Sequence, residues 1–427
     1  MANKPIDLPP VMAKIRAAFV ARDTDYLSKK WGLGGRLEEL NARMNKLIAT
    51  PLALPVSQRI SLEAQWLINY TDDWGRAAST LDLLEASLTP KNQPDVQQDD
   101  GSMGQGCTEF YRKLEPTVDF LQSDAVLLPK PGQELTLKPL TFMKWLMKPA
   151  DVIDRLDKLR VSRIHQYGRN NRDEFGSMIT SLAQLFFKSS LRSAFDLHPE
   201  TEFTVSDASF TSFRDYLWSI QGGETGYWGP TYDFDGEVVE VQDLSYTFHV
   251  VKYYNNSNDK TRKDLPNTDK IVATTEEVET FSYPNGMKPP PPDFSDHNNY
   301  DLVTMFQQMW CIMPPDAKKK AGEEITTLID WCLTTSLMGD IFAASKDMST
   351  VNSYYYGVKF LLIAGFWPQQ KPFWMTGQVP VPSSAPKPAE LAARLLERFK
   401  KEFDDKSPNA KTVIKILTAA LPASPTG

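Results

Sequence analysis

The residues able to do chemistry stand apart from one another. The four histidines, His165, His198, His249 and His297, lie in different segments, and none has another histidine or a cysteine at metal-ligand spacing. They read as separate surface or packing side chains. Three cysteines, Cys107, Cys311 and Cys332, are too few for a disulfide framework and point to a reducing, intracellular setting. Cys332 beside Trp331, and Cys311 beside Trp310, read as core. The phosphate-binding patterns G-x-x-x-x-G-K followed by Ser or Thr, and G-x-G-x-x-G after a strand, do not occur. The glycine-rich run Gly101–Gly106 follows Asp99 and Asp100, whose charges would repel phosphate. Asp233-Phe234-Asp235-Gly236-Glu237 opens like a calcium loop but lacks its third acid and its distal Glu. The expectation is therefore no catalytic set, no cofactor and no metal.

Two groups of side chains suggest contacts instead of reactions. Arg155, Lys158, Arg160, Arg163, Arg169 and Arg172 are interleaved with His165, Tyr167, Asn170 and Asn171. Arginines with amide and aromatic neighbours suit phosphate contact and base stacking, which makes these six the candidate RNA contacts. Asp151, Asp154, Asp157 and Asp173 flank them, several at i,i+3 or i,i+4, so a self-neutralised helix face is the competing reading. Lys318-Lys319-Lys320 precedes Glu323-Glu324 and reads as a solvated helix start. The second group is aromatic: Tyr354, Tyr355, Tyr356, Phe366, Trp367, Phe373 and Trp374, punctuated by Pro368, Pro372, Pro380 and Pro382. Large rings on Pro-fixed backbone suit an arm that docks on another subunit, and packing within the same chain is the alternative.

The elements that must hold these groups are mostly helical. Apolar residues recur at helical spacing through Val11, Ile15, Ala18 and Phe19, then Leu37, Leu40, Met44, Leu47 and Ile48, and again over 57–88. Residues 90–106 are polar and aperiodic, a mobile surface loop by composition. Helices are predicted over 107–123, 139–165, 173–195 and 210–220, the last ended by Gly222-Gly223. They resume at Tyr300. Ile325, Leu328, Ile329, Cys332, Ser336 and Leu337 form a stripe. Phe360–Trp367 is far shorter than the ~20 apolar residues a membrane span requires and reads as buried core. A Pro-rich extended arm occupies 376–388, and two amphipathic helices close the chain, one carrying Leu391, Leu395, Leu396 and Phe399 and one over Lys411–Leu421. The N-terminus lacks the apolar core of a secretory signal.

Residues 223–297 interrupt this pattern. Glu237–Val241 and Leu244–Tyr254 alternate in β-branched and aromatic residues and predict strands, with Ile271–Thr275 and Val278–Tyr283 as return strands. The stretch holds 14 acidic and 6 basic residues, while the remainder holds 40 and 41, so the chain's net charge of −7 is local. The expected architecture is mainly α, a large helical body with a smaller β-containing insert, α+β overall. Its parts are a first helical shell portion at 1–222, an acidic protruding insert at 223–297 and a second helical portion at 298–427.

A mostly helical chain of this length, with a strand-rich acidic insert and a Pro-rich arm, resembles the coat proteins of small double-stranded RNA viruses of the partitivirus type. The resemblance covers plan and length and carries no motif residue. It implies a virion protein of the host cytoplasm, not membrane-bound, that self-assembles as a homo-oligomer, dimer by dimer, into an icosahedral shell around RNA held weakly. A near-neutral body fits weak contact, because wrapping RNA tightly requires a basic groove. The alternatives are a nucleoprotein of a single-stranded RNA virus, with RNA along the 155–172 arginines, and an enzyme or interaction protein whose site is assembled from scattered residues.

Overall fold

The computed structural model describes residues 97–103, 110–128, 135–163, 171–234, 236–255, 265–278, 296–338, 340–342, 350–382, 385–403 and 408–422. The helices expected between residues 11 and 88 lie outside these, as do Cys107, His165 and Arg169. The described chain is mainly α with two small sheets, and it divides into two compact units at Asp259/Lys260.

The first unit comprises α1 (Phe110–Leu121), α2 (Asp124–Leu127), α3 (Pro149–Arg160), α4 (Arg172–Phe187), α5 (Ser189–Leu197), α6 (Asp207–Ser219) and α7 (Leu244–Tyr254), with short strands β1 (Val161–Ser162), β2 (Thr231–Phe234) and β3 (Glu237–Glu240). Helix α4 is central: α1, α3, α5, α6 and α7 all pack on it. Its Phe175, Met178, Ile179, Leu182, Ala183, Leu185 and Phe186 are all buried, which is what a helix covered on most sides requires. Strand β1 pairs parallel with β2, and β2 pairs antiparallel with β3 from Thr231↔Glu240 to Phe234↔Glu237. The two-residue connection carries Gly236 at φ +98, and Asp233 Oδ1 accepts its N–H at 2.8 Å. This hairpin turn replaces the calcium-loop comparison.

The second unit comprises α8 (Thr268–Glu277), α9 (Asp296–Met309), α10 (Pro315–Trp331), a π-turn over Cys332–Ser336, a small hairpin of β4 (Leu337–Met338) and β5 (Ile341–Phe342), α11 (Thr350–Ile363), α12 (Pro388–Glu402) and α13 (Pro408–Ala419). Helix α9 packs on α11, α11 on α13, and α13 on α12. The predicted stripes are in place except at Leu337, which is half-buried in β4. Ile325, Leu328, Ile329, Cys332 and Ser336 are buried, as are Leu391, Leu395, Leu396 and Phe399, and most of 360–367.

Four expectations are corrected. Residues 244–254 form helix α7, not a strand. Asp243 caps it by accepting the Tyr246 N–H at 3.0 Å, and Leu244, Thr247, Phe248 and Val251 are buried at helical spacing, so burial and the cap override β propensity. Residues 271–275 likewise lie in α8, burying Ile271, Val272 and Thr275. The stretch 223–297 is not one protruding module. The unit boundary falls inside it, and Tyr227, Trp228 and most of α7 belong to the first unit's core, where the Trp228 indole N–H donates to the Leu217 carbonyl at 2.8 Å. Finally, the described part of the 90–106 loop is pinned. Ser102 and Met103 are buried, and Gly101, at φ +84, lies so close to Pro139 that a Cβ there would sit 2.3 Å from its carbonyl oxygen.

Candidate functional site

The candidate RNA face runs from α3 through β1 to the start of α4, and most of its cations are matched within the fold. Lys158 pairs with Asp154 at 2.5 Å, one helical turn back. Arg163 meets Asp233 of β2 at 3.1 Å. Arg160 buries its Nε without a hydrogen bond, and Tyr216 and Glu240 lie within its electrostatic reach. Arg172 is buried: its Nε and Nη2 donate to Asp243 Oδ2 at 3.1 and 2.7 Å, and its guanidinium lies 5.0 Å from the centre of the Tyr246 ring. The Tyr246 hydroxyl donates to the Arg172 carbonyl. Burial pushes the Asp243 carboxyl up, and the permanent charge of Arg172 pulls it back. Arg172 is thus a structural residue joining α4 to α7, not an RNA contact.

Arg155 differs from its neighbours. Its guanidinium lies 4.9 Å from the centre of the Phe110 ring and 5.2 Å from that of Trp145, and those two rings are 4.8 Å apart. Three nearly equal separations mean the guanidinium lies over the ring pair and is not sandwiched between them. Glu174 is its ion partner at 3.7 Å, beyond hydrogen-bond range.

The aromatic group is split. Tyr354, Phe366 and Trp367 are buried in the second unit's core, with the Tyr354 hydroxyl donating to the Asp340 carbonyl at 2.6 Å and the Trp367 indole to Val358 at 3.0 Å. These three do not present a subunit surface. Tyr354–Tyr356 also lie within helix α11, not on Pro-fixed extended backbone, because Tyr354 faces inward against Phe342 and Phe399. Tyr355, Tyr356, Phe373 and Trp374 are half-buried. Phe373 packs edge-on against Trp310, and the Trp374 indole donates to the Ala364 carbonyl at 3.0 Å. Trp374 therefore anchors one end of the bent, non-helical stretch that leads toward α12. Within that stretch Thr376, Gly377, Gln378, Pro380 and Val381 are exposed.

Sequence reasoning missed a buried polar cluster around the head of α9. Asp296 accepts from Ser336 Oγ at 2.5 Å and from Asn299 Nδ2 at 3.1 Å, with the Cys332 thiol as a third donor. Burial raises the Asp296 carboxyl, its neutral donors only partly offsetting this, and the Cys332 thiol is pushed up in turn by burial and by Asp296. Cys332 is core as expected, whereas Cys311 is exposed, because α9 has ended at Met309 and the chain is turning. His198 is an internal packing histidine, its Nε2 3.1 Å from the Val126 carbonyl and its Nδ1 2.9 Å from Glu200.

Among the described residues no group of three or more His, Cys, Asp or Glu is placed to hold a metal ion, and no helix is long and apolar enough to cross a membrane. Two shallow apolar crevices lie among them, one lined by Val272, Met305, Phe306, Met309 and Met313 and the other by Val152, Phe186 and Phe213. No family model, curated protein or solved structure matches this chain.

Proposed function

We propose that this chain is a structural protein that self-associates into a closed shell, in the manner of the double-stranded RNA virus coat proteins it resembles. The observation that carries the reading is the Pro-containing, non-helical segment that leads from Trp374 toward α12. Pro380 and Pro382 stiffen it, Val381 is 43% exposed on it, and its backbone hydrogen bond from the Ala385 N–H to the Pro382 carbonyl is local. An exposed segment outside regular structure that carries an exposed apolar side chain is suited to cover by a neighbouring subunit. Large apolar side chains elsewhere are also wet: Leu128 is 72% exposed and Met338 66%.

On this reading the particle belongs to a virion in the host cytoplasm, its assembly unit is a dimer, and RNA is enclosed with weak contact. Sedimentation and electron microscopy of the purified protein test it. Megadalton particles are expected, and a strictly monomeric protein at high concentration overturns the proposal. A second reading, a nucleoprotein with RNA along α3, is favoured by Arg155 on its ring pair. It loses Arg172 to the core and leaves Lys158 and Arg163 matched by carboxylates.

A further inference from the structure

The two C-terminal helices carry cations that the fold leaves unused. Between Lys387 and Lys415 the chain has eight basic and five acidic side chains, against a net charge of −7 for the whole. Arg394 pairs with Asp340 at 3.0 Å and Arg398 with Glu402 at 2.9 Å. Lys400, Lys401, Lys411 and Lys415 are exposed, and among the described residues none of them forms an ion pair, hydrogen bond or ring contact.

The positions of Lys411 and Lys415 argue against a purely local role. Lys400 and Lys401 close α12, where the negative end of a helix favours cations. Lys411 does the opposite. It lies at the N-terminal end of α13, where the helix end is itself positive, and the first turn of α13 has no acidic residue to offset it. Lys415 is four residues on, on the same face. The buried sides of these helices are apolar: Leu391, Leu395, Leu396 and Phe399 on α12, and Ala410, Val413, Leu417 and Ala420 on and after α13. The lysines therefore stand on the outer faces of two helices packed together.

We propose that Lys400, Lys401, Lys411 and Lys415 form a contact surface for the phosphate backbone of duplex RNA. The inference rests on the shell reading for RNA as the polyanion; the surface itself rests on the unpaired lysines. Duplex is favoured over single strand by what the surface lacks. Binding of single strands relies on rings that stack on bases. Residues Pro408–Ala419 contain no aromatic residue, and the aromatic of α12, Phe399, is buried against Tyr354 and Phe403. Lysine is a point charge suited to phosphate without sequence readout. Four such charges give weak binding that salt removes, which suits a genome that must move inside its shell.

The test is fluorescence anisotropy of the full-length protein with a short labelled RNA duplex and a single strand of the same length, across a salt series. The K400Q/K401Q/K411Q/K415Q variant is expected to bind duplex about tenfold more weakly at low salt, and its salt slope is expected to flatten by about 0.9 for each phosphate it no longer neutralises. The matching four Lys→Arg variant retains binding, which separates charge from folding, and thermal melting of both variants should match the parent. Binding of the Gln variant equal to the parent's, no duplex binding by the parent, or tighter binding of the single strand each overturns the proposal. Particle formation is scored separately. Particles without lysine-dependent binding sink this inference alone, and lysine-dependent binding without particles sinks the shell reading alone.

Discussion

Asp243 in the first unit and Asp296 in the second are carboxylates at helix starts that are satisfied by different chemistry. Each is fully buried at the head of a helix, and in each burial raises the carboxyl above its ordinary range. Asp243 caps α7 with one oxygen and takes two N–H donors of Arg172 on the other. Among the described residues Asp296 meets only neutral donors, Ser336, Asn299 and Cys332. The first site is an ion pair whose cation cannot be discharged, so its charge is lost only where the pH falls far enough to protonate Asp243. The second has no cation to lose, and its charge costs stability when present. The contrast bears on function as well, because an arginine spent in such a pair is withdrawn from any external anion.

The sharpest way to break this contrast is to remove one partner of the charged pair. Asp243→Ala leaves a buried guanidinium unmatched and uncaps α7, and is expected to cost about 3–5 kcal/mol in the unfolding of the first unit. Replacing both partners by apolar residues, Arg172→Met with Asp243→Leu, should recover much of that loss, since the desolvation penalty disappears along with the attraction. Urea unfolding of the three proteins measures this. A single variant as stable as the parent would show that the pair does not hold the two helices.

A smaller effect tests the packing beside the pair and leaves its charges untouched. Gly176 lies within α4 directly under the Tyr246 ring, and a Cβ there would sit 2.1 Å from a ring carbon. The ring cannot swing aside freely, because its hydroxyl is tied to the Arg172 carbonyl. Gly176→Ala is therefore expected to destabilise by about 1–3 kcal/mol through overpacking, despite the ~1 kcal/mol by which alanine ordinarily favours a helix over glycine. A rise in the thermal midpoint would mean that propensity outweighs the clash.

How far these sites were legible depends on where their partners lie. The helices with one wet face were readable, as at Ile325, Leu328, Ile329 and Cys332, because the apolar period survives when the other face is polar. Helix α7 was not, since burial on nearly every side erases that period, and the local signal for it was Asp243 three residues before Tyr246. The hairpin had a signal too, Asp235-Gly236 between two short β-prone runs. The fate of the arginines had none. Asp233 lies 70 residues from Arg163 and Asp243 lies 71 from Arg172, so a charge pattern read locally weighs the wrong carboxylates. The lysines of α12 and α13 also look ordinary in sequence. They stand out only once the neighbouring Arg394 and Arg398 have found their carboxylates.

The neutral site carries the smallest expected change and the clearest dependence on pH. Asn in place of Asp296 keeps an oxygen that accepts from Ser336 or Asn299 and adds an N–H₂ that can serve the Asn299 Oδ1, which has no hydrogen-bond partner. Asp296→Asn should therefore shift stability by no more than about 1 kcal/mol near pH 5. Because burial raises the carboxyl of Asp296 in the folded state, the folded protein binds its proton more tightly than the unfolded chain does. Stability from this group is then full below the ordinary value of 3.8 and falls as pH rises through the interval up to the raised value. The Asn variant has no such proton to lose. Relative to the parent it should gain stability as pH increases across that interval and hold a constant difference above it, measured as urea midpoints from acid to neutral pH. A difference that shrinks with rising pH would mean that Asp296 is held as a stabilised carboxylate, and would overturn its reading as a group whose charge costs stability.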